Sequence, residues 1–334
     1  MSYKGELNRV EVYKNLTLDE AKEIACMDNL KYIQISAEVS PNALELINSV
    51  ILSHKRDIQF RVYGFYDSKC DLKFLEMLTN ITDLSIGAMD SVNNIDIIEK
   101  LTNLKKLRIY LNNLKDISFL EKVTPNITSL MLGTGINNSN LELDIIERFQ
   151  LLESLFVYKI SNGFDILRKL RNLTNLTINA SKITDFRFLR DTNINNLSLG
   201  MIKNNDCNTL CGNQKIKRLE LWKLNKLMDL DILGNLPNLE YVRIYQNNNI
   251  EKIPDLRKCI NLKTLILDEL KNLKDISELA YIPNIENIEL YQVKSINLAD
   301  IEDVLKGLSL KNFKCITGSV RKDNQIEELI KNIM

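Results

Sequence analysis

The chain has 334 residues, with 44 Lys and Arg against 44 Asp and Glu, so its formal charge at neutral pH is zero. That balance excludes a uniform polycation working on phosphate, which needs a segregated basic stripe, and no run of about 18 apolar residues is present to span a bilayer. With His54 as the single histidine, and with no glycine loop of the GxxxxGK[ST] or GxGxxG kind, little is left from which to build a catalytic or phosphate-cradling site.

In chain order, the fragment LxxLxL or a close variant recurs at intervals of 21 to 27 residues. It begins at Leu7 (LNRVEV) and Leu30 (LKYIQI). A degenerate copy at Asp57 (DIQFRV) carries a charge in the first apolar slot. Ten further copies start at Ile81, Leu104, Ile127, Leu152, Leu173, Ile194, Ile216, Leu239, Leu262 and Ile285, and a last one at Leu310 (LKNFKC), which makes fourteen units. Self-similarity at this period marks a solenoid. Within each copy the last two apolar positions alternate with polar ones, as in a half-buried strand.

Between the first strands, Thr17-Leu-Asp-Glu20 reads as a capping box opening a helix to about Met27. Ser40-Pro41 opens another, with Leu44, Ile47, Val50 and Ile51 at helical spacing. The units up to about residue 56 are therefore expected to be helical on the return side. In later units an aspartate follows the first position by 12 to 17 residues. Together with Asp19 these are Asp71, Asp96, Asp116, Asp144, Asp165, Asp185, Asp206, Asp229, Asp255, Asp275, Asp300 and Asp323. They read as N-caps of short helical turns. Asp323 is expected to open a capping helix to residue 334, with Ile326, Leu329, Ile330 and Ile333 over the last strand. Residues 1–334 then form a single repeat domain.

The units LKKLRIYLNNLKDISFLEKVTPN and LKTLILDELKNLKDISELAYIPN resemble the short bacterial leucine-rich repeats of the internalin type. They are also similar to the phosphatase-regulator type. The resemblance implies an α/β leucine-rich repeat solenoid: a right-handed horseshoe with a parallel concave sheet and short helices and turns on the convex side. It further implies protein recognition. As a whole the chain is most similar to stand-alone cytosolic bacterial leucine-rich repeat proteins. The family's asparagine column survives only at Asn112 and Asn247, so its hydrogen-bond ladder is expected to be replaced by apolar packing.

The informative residues lie on the exposed face of the strands. The position directly after LxxLxL reads Tyr13, Ser36, Tyr63, Gly87, Tyr110, Gly133, Tyr158, Asn179, Gly200, Trp222, Tyr245, Asp268, Tyr291 and Ile316. Seven of the chain's twelve Tyr and Trp residues occupy this column. Preference of aromatics for strands explains enrichment in strands, not concentration in a solvent-facing column. The expected partner-binding face comprises an N-terminal patch of Tyr63, Arg108, Tyr110, Phe156 and Tyr158. A C-terminal patch of Trp222, Tyr241, Arg243, Tyr245 and Tyr291 completes it. Tyr, Trp and Arg are the residues that most often carry interface energy. From Tyr63 to Tyr158 tyrosine alternates with glycine, which predicts empty slots between rings roughly 10 Å apart.

These observations predict a non-catalytic scaffold that binds a protein partner, such as an inhibitor or immunity-type protein. No cofactor, metal, nucleic acid or membrane is expected, and the unbound chain is expected to be a monomer. The N-terminus MSYKGELNRVEVYKN lacks an apolar signal segment and the six cysteines are dispersed, so a cytoplasmic location is expected. The alternatives are an exported host-interaction or adhesion protein, and an enzyme whose site would involve Cys207, Cys211 or His54. Seven Asn-x-Ser/Thr triplets, at Asn15, Asn80, Asn126, Asn137, Asn172, Asn175 and Asn196, read as by-products of a repeat that favours Asn before its first Leu.

Overall fold

A computed structural model describes residues 2–65, 70–137, 139–183, 185–202 and 207–333. The chain divides into two compact units, Met1–Asn172 and Leu173–Met334. The first opens with strands β1 (Tyr3–Glu6) and β2 (Arg9–Val12), followed by helix α1 (Leu18–Cys26), β3 (Tyr32–Ile35), helix α2 (Pro41–Leu46) and β4 (Gln59–Tyr63). Then come β5 (Cys70–Asp71), β6 (Asp83–Met89), β7 (Val92–Asn93), β8 (Lys106–Leu111), β9 (Ser129–Thr134) and β10 (Ser154–Tyr158). From β2 onward the sheet is parallel in the order β2-β3-β4-β6-β8-β9-β10, while β5 pairs only with β7. Every repeat thus adds one strand in matching register, such as Tyr110 beside Gly133. The alternate apolar residues Leu107, Ile109, Leu130 and Leu132 are buried, as half-buried strands require.

The first repeat departs from expectation. Leu7 does not fill an apolar slot. It sits fully exposed at φ 41 in the turn of an antiparallel β1–β2 hairpin. Strand β1 lies along this edge of the sheet, with Lys4 and Glu6 paired on it. Charge on an edge strand discourages pairing with another chain. In the degenerate copy, Asp57 stays exposed while Ile58 beside it is buried, and Phe60 and Val62 are fully buried.

The helices follow the expected starts. Thr17 and Glu20 form the capping box, with Glu20 N–H donating to Thr17 Oγ1 at 3.2 Å and Thr17 N–H to Glu20 Oε2 at 2.9 Å. Ser40 caps α2, which widens into π turns over Ile47–Leu52. That winding moves the buried stripe to Ile51 and Leu52, leaving Val50 half-buried. Most later return segments are single 3₁₀ turns. Asp71, Asp116, Asp185, Asp229 and Asp275 cap them by accepting the N–H two residues on, and Asp255 does the same for a plain turn at Arg257. Asp19, Asp96, Asp144, Asp165, Asp300 and Asp323 are not caps. They lie inside the first turn, where their charge still complements the helix dipole. Asp206 lies outside the described residues.

The second unit contains β11 (Asn175–Asn179), β12 (Asn196–Gly200), β13 (Arg218–Trp222), β14 (Tyr241–Tyr245), β15 (Thr264–Asp268), β16 (Asn287–Tyr291) and β17 (Asn312–Ile316), all parallel and in matching register. Helices α3 (Leu298–Gly307) and α4 (Val320–Ile333) close it, and α4 packs on β17 and α3. Helix α4 starts at Val320, three residues earlier than expected. Ile326 is its buried anchor, and Leu329, Ile330 and Ile333 are half-buried. No helix among the described residues is long and apolar enough to cross a membrane.

The inter-repeat ladder is made of hydrogen bonds rather than apolar packing alone. The residue after the aromatic column adopts positive φ at Ala88, Lys159, Ala180, Met201, Lys223, Gln246, Glu269 and Gln292. In the second unit this turns its N–H toward the next strand. Ala180 donates to Gly200 O at 2.9 Å, Met201 to Trp222 O at 3.0 Å, Lys223 to Tyr245 O at 2.9 Å and Gln292 to Ile316 O at 2.7 Å. A second rail comes from the Asn that precedes the first apolar residue in many of the units. Asn103 donates to Thr79 O at 3.0 Å, Asn172 to Gln150 O at 2.8 Å and Asn261 to Pro237 O at 3.1 Å. Asn80 is tied to Asn48 in the same manner, so this repeat preference is structural.

Candidate partner-binding face

The side chains between the buried positions of each strand project from the side of the sheet opposite the helices and 3₁₀ turns. In the first unit, Tyr63, Tyr110, Phe156 and Tyr158 are half-buried there. The Tyr110 ring meets Tyr158 edge-on, with centroids 5.6 Å apart and planes at 69°. Aromatic pairs favour this geometry because the positive edge of one ring faces the negative face of the other. Gly133, the residue between them in register, makes the contact possible. A Cβ there would stand 2.6 Å from Tyr110 Cδ2. Gly87 is covered likewise by the Tyr63 ring, at 3.6 Å from a built Cβ. The glycine slots expected to receive a partner side chain are therefore occupied by the chain's own rings. Burial, then the neighbouring Tyr158, pushes the Tyr110 phenol pKa above its ordinary value.

Arg108 is paired with Asp83, whose Oδ1 also accepts from Gln59 Nε2 at 3.2 Å. Asp83 is only 6% exposed, so its charge is met inside the sheet face rather than offered to solvent. Phe156 stands opposite Met131. Lys159 lies 5.6 Å from the Tyr158 ring and donates to Gly135 O at 2.9 Å.

In the second unit Trp222 lies over Gly200, the residue beside it in register. Its indole Nε1 donates to Asn179 Oδ1 at 3.3 Å. Tyr241 carries the guanidinium of Arg218 over its ring at 3.3 Å, and Arg218 is paired with Glu220 at 2.9 Å. Arg243 is exposed, paired with Asp268 at 3.4 Å and 5.9 Å from the Tyr245 ring. Tyr245 donates to Glu269 at 3.4 Å and Tyr291 to Glu289 at 2.8 Å. Burial first, then the adjoining carboxylate, raises both phenol pKa values. Beside this group, Asn175, Thr177, Asn196, Ser198, Arg218 and Glu220 line a shallow polar depression of about 280 Å³.

All ten expected residues thus lie on open sheet faces, five in each unit. The contacts join Tyr110 to Tyr158, and Arg243 to Tyr245. Arg61, Arg218, Asn179 and Glu269 fall on the same face by the sequence pattern but are not among the ten expected contact residues. Their signal is register: Arg61 and Arg243 each stand two residues before a column tyrosine on one strand. On the other side of the first unit, Ile35, Val39, Leu44, Phe65, Cys70 and Phe74 line an apolar cavity of about 260 Å³. Burial pushes the Cys70 thiol up to about 12, well away from a reactive thiolate. Exposed His54 bonds through Nδ1 to Val50 O at 2.7 Å, Cys207 is buried and Cys211 half-buried. Among the described residues no three His, Cys, Asp or Glu side chains gather as a metal site would need.

The fold is that of leucine-rich repeat proteins. An internalin of Listeria monocytogenes matches with a TM-score of 0.56 at 18% identity, over 91% of this chain and 90% of that one. The Toll–Spatzle complex of Drosophila matches with 0.54 at 12% identity, over 98% of this chain and 53% of that chain. The mouse RP105/MD-1 complex matches with 0.52 at 14% identity, over 95% and 64%. No protein-family model matches the sequence, and neither does any curated protein.

Proposed function

We propose that this leucine-rich repeat chain is a non-catalytic scaffold that holds a partner protein against the open face of its sheet. The observation that carries the reading is the seating of aromatic side chains on that solvent-facing side, with Tyr63, Tyr110 and Trp222 each lying over a glycine of a neighbouring strand. Rings held in place before a partner arrives lose little rotamer freedom on binding, which favours affinity. Tyr63, Arg108, Tyr110, Phe156 and Tyr158 form one contact patch. Trp222, Tyr241, Arg243, Tyr245 and Tyr291 form the other. Two of the matched structures are complexes, Toll with Spatzle and RP105 with MD-1, which supports protein recognition.

Within this class the chain acts as a cytoplasmic binder of the inhibitor or immunity type, monomeric until it meets its target, without cofactor, metal or nucleic acid. Thiols dispersed along the repeats, none of them in a disulfide among the described residues, suit a reducing compartment. Affinity capture from native lysate tests the reading, comparing wild type with a folded Tyr110→Ala, Trp222→Ala, Tyr245→Ala triple variant. A protein held by wild type and lost by the variant supports it. A protein retained equally by both moves the site off the open face.

A further inference from the structure

The open face of the first unit carries a cation that has no ion-pair partner among the described residues. Arg61 stands at the middle of β4, its guanidinium 4.6 Å from the Tyr63 ring centroid and 5.6 Å from that of Tyr32. Rings on two sides restrict the planar fork and leave its N–H groups for a ligand. Among the described residues no carboxylate lies within ion-pair distance of it. Asp83 is taken by Arg108 and Gln59. Glu11 is two strands away on β2, with Gln34 of β3 between them in register. Lys106, exposed on β8, adds a second positive charge without an ion-pair partner among the described residues.

Gln34 supplies an independent observation. It is 5% exposed, and its Nε2 donates to Ser36 Oγ at 3.0 Å, yet its Oε1 accepts from no group among the described residues. Buried acceptors without a donor are rare because the lost hydration is not replaced. The register places Gln34 directly beside Arg61. A ligand that satisfies both must bring anionic oxygen to the guanidinium and an N–H to the amide oxygen. A carboxylate side chain on an extended peptide brings both, one from Asp or Glu and the other from its own backbone. A nucleic-acid phosphodiester brings the oxygens but no donor of its own for Gln34.

We infer that Arg61, Gln34, Tyr32 and Tyr63 form a subsite for an Asp or Glu side chain on an acidic segment of the partner protein, with Lys106 attracting the same segment. This rests on the open-face reading and names the chemistry of what that face holds.

Selection of random peptides of about twelve residues on the whole immobilised chain tests it, with an oligothymidylate of similar length as a second probe. The expected peptides are rich in Asp and Glu, and their affinity falls with added salt. It also falls about tenfold in Arg61→Gln, with Arg61→Lys in between because lysine keeps the charge but not the fork. Peptides without carboxylates that still lose binding in Tyr110→Ala overturn the acidic subsite and leave the open face standing. Peptides indifferent to both Arg61→Gln and Tyr110→Ala count against both. Acidic peptides bound equally by Arg61→Gln, no peptide above background, or tighter binding of the oligothymidylate each overturn the subsite.

Discussion

The indole of Trp222 rests against the backbone of Gly200. A β-carbon at position 200 would stand 1.7 Å from Trp222 Nε1 and 2.5 Å from its Cδ1, closer than any non-bonded approach allows. The glycine is therefore the seat of the ring. Asn179, on the strand beyond, takes the indole N–H. Gly200→Ala is expected to lift the ring off the sheet and to cost about 1–3 kcal/mol, as overpacking does. Trp222 is the chain's one tryptophan, so its fluorescence reports the change without interference. A red-shifted emission with greater quenching by acrylamide is expected. Unchanged emission would remove the glycine's role.

Gly133 does the same for Tyr110. The edge-on pair with Tyr158 is expected to show a coupling of about 0.5–1.5 kcal/mol in a double-mutant cycle of Tyr110→Leu and Tyr158→Leu. Gly133→Ala should abolish that coupling because the Tyr110 ring loses its place. Urea melts of the variants supply the numbers, and strict additivity in the wild-type background would contradict the contact.

Asn112 and Asn247 occupy equivalent places in their repeats, yet their environments differ. Asn247 is 1% exposed, accepts from Leu224 N–H at 2.7 Å and donates to Leu221 O at 3.1 Å and Tyr245 O at 2.9 Å. Asn112 is exposed and donates to Asp90 at 2.9 Å. Asn247→Ala leaves buried backbone groups unpartnered and should cost about 1–3 kcal/mol or more. Asn112→Ala should stay within about 0.5 kcal/mol of wild type. Equal losses in thermal or urea melts would sink this distinction.

Acid should weaken the chain through its caps. The Glu20 carboxyl is held down to about 2, first by the backbone N–H of Thr17, against 4.5 for a free glutamate. The folded state therefore binds fewer protons than the unfolded one below about 4.5. The stabilisation is complete above that pH and drains away as pH falls toward about 2. Asp116 and Asp275 shift in the same direction, because the serine hydroxyl two residues on donates to each. Glu20→Gln should be less stable than wild type at neutral pH, with the gap closing in acid. A gap that stays constant from neutral to acid pH in urea titrations would contradict the assignment.

The repeat period made the strands, the core positions and the first two helices readable, since one apolar pattern recurs whatever lies between its copies. Leu7 misled because it satisfies the pattern at a position that the chain uses as the turn of the β1–β2 hairpin. The left-handed residues were invisible. Ala88, Lys159, Met201 and Glu269 share no chemistry, and most residue types avoid positive φ. A backbone hydrogen bond to the next strand, seen in the second unit, outweighs that preference. On the open face the sequence identified the aromatic column but not which way each ring leans. Tyr63 and Tyr110 lean toward the later strand and Trp222 toward the earlier one. That direction turns the glycines from openings into seats. The pattern puts Arg61 on the open face, but only the register shows Tyr32 and Gln34 beside it.

The central claim, that the open face holds a protein partner, is tested most directly by comparing partner affinity for Trp222→Ala and Tyr281→Ala. Tyr281 is the control: 55% exposed, it lies on a 3₁₀ turn with Arg257 over its ring at 4.4 Å. With the captured partner, Trp222→Ala is expected to lose about 2 kcal/mol, roughly thirtyfold in Kd, while Tyr281→Ala stays within about twofold. Equal losses at the two positions, or a loss confined to Tyr281→Ala, would contradict the account.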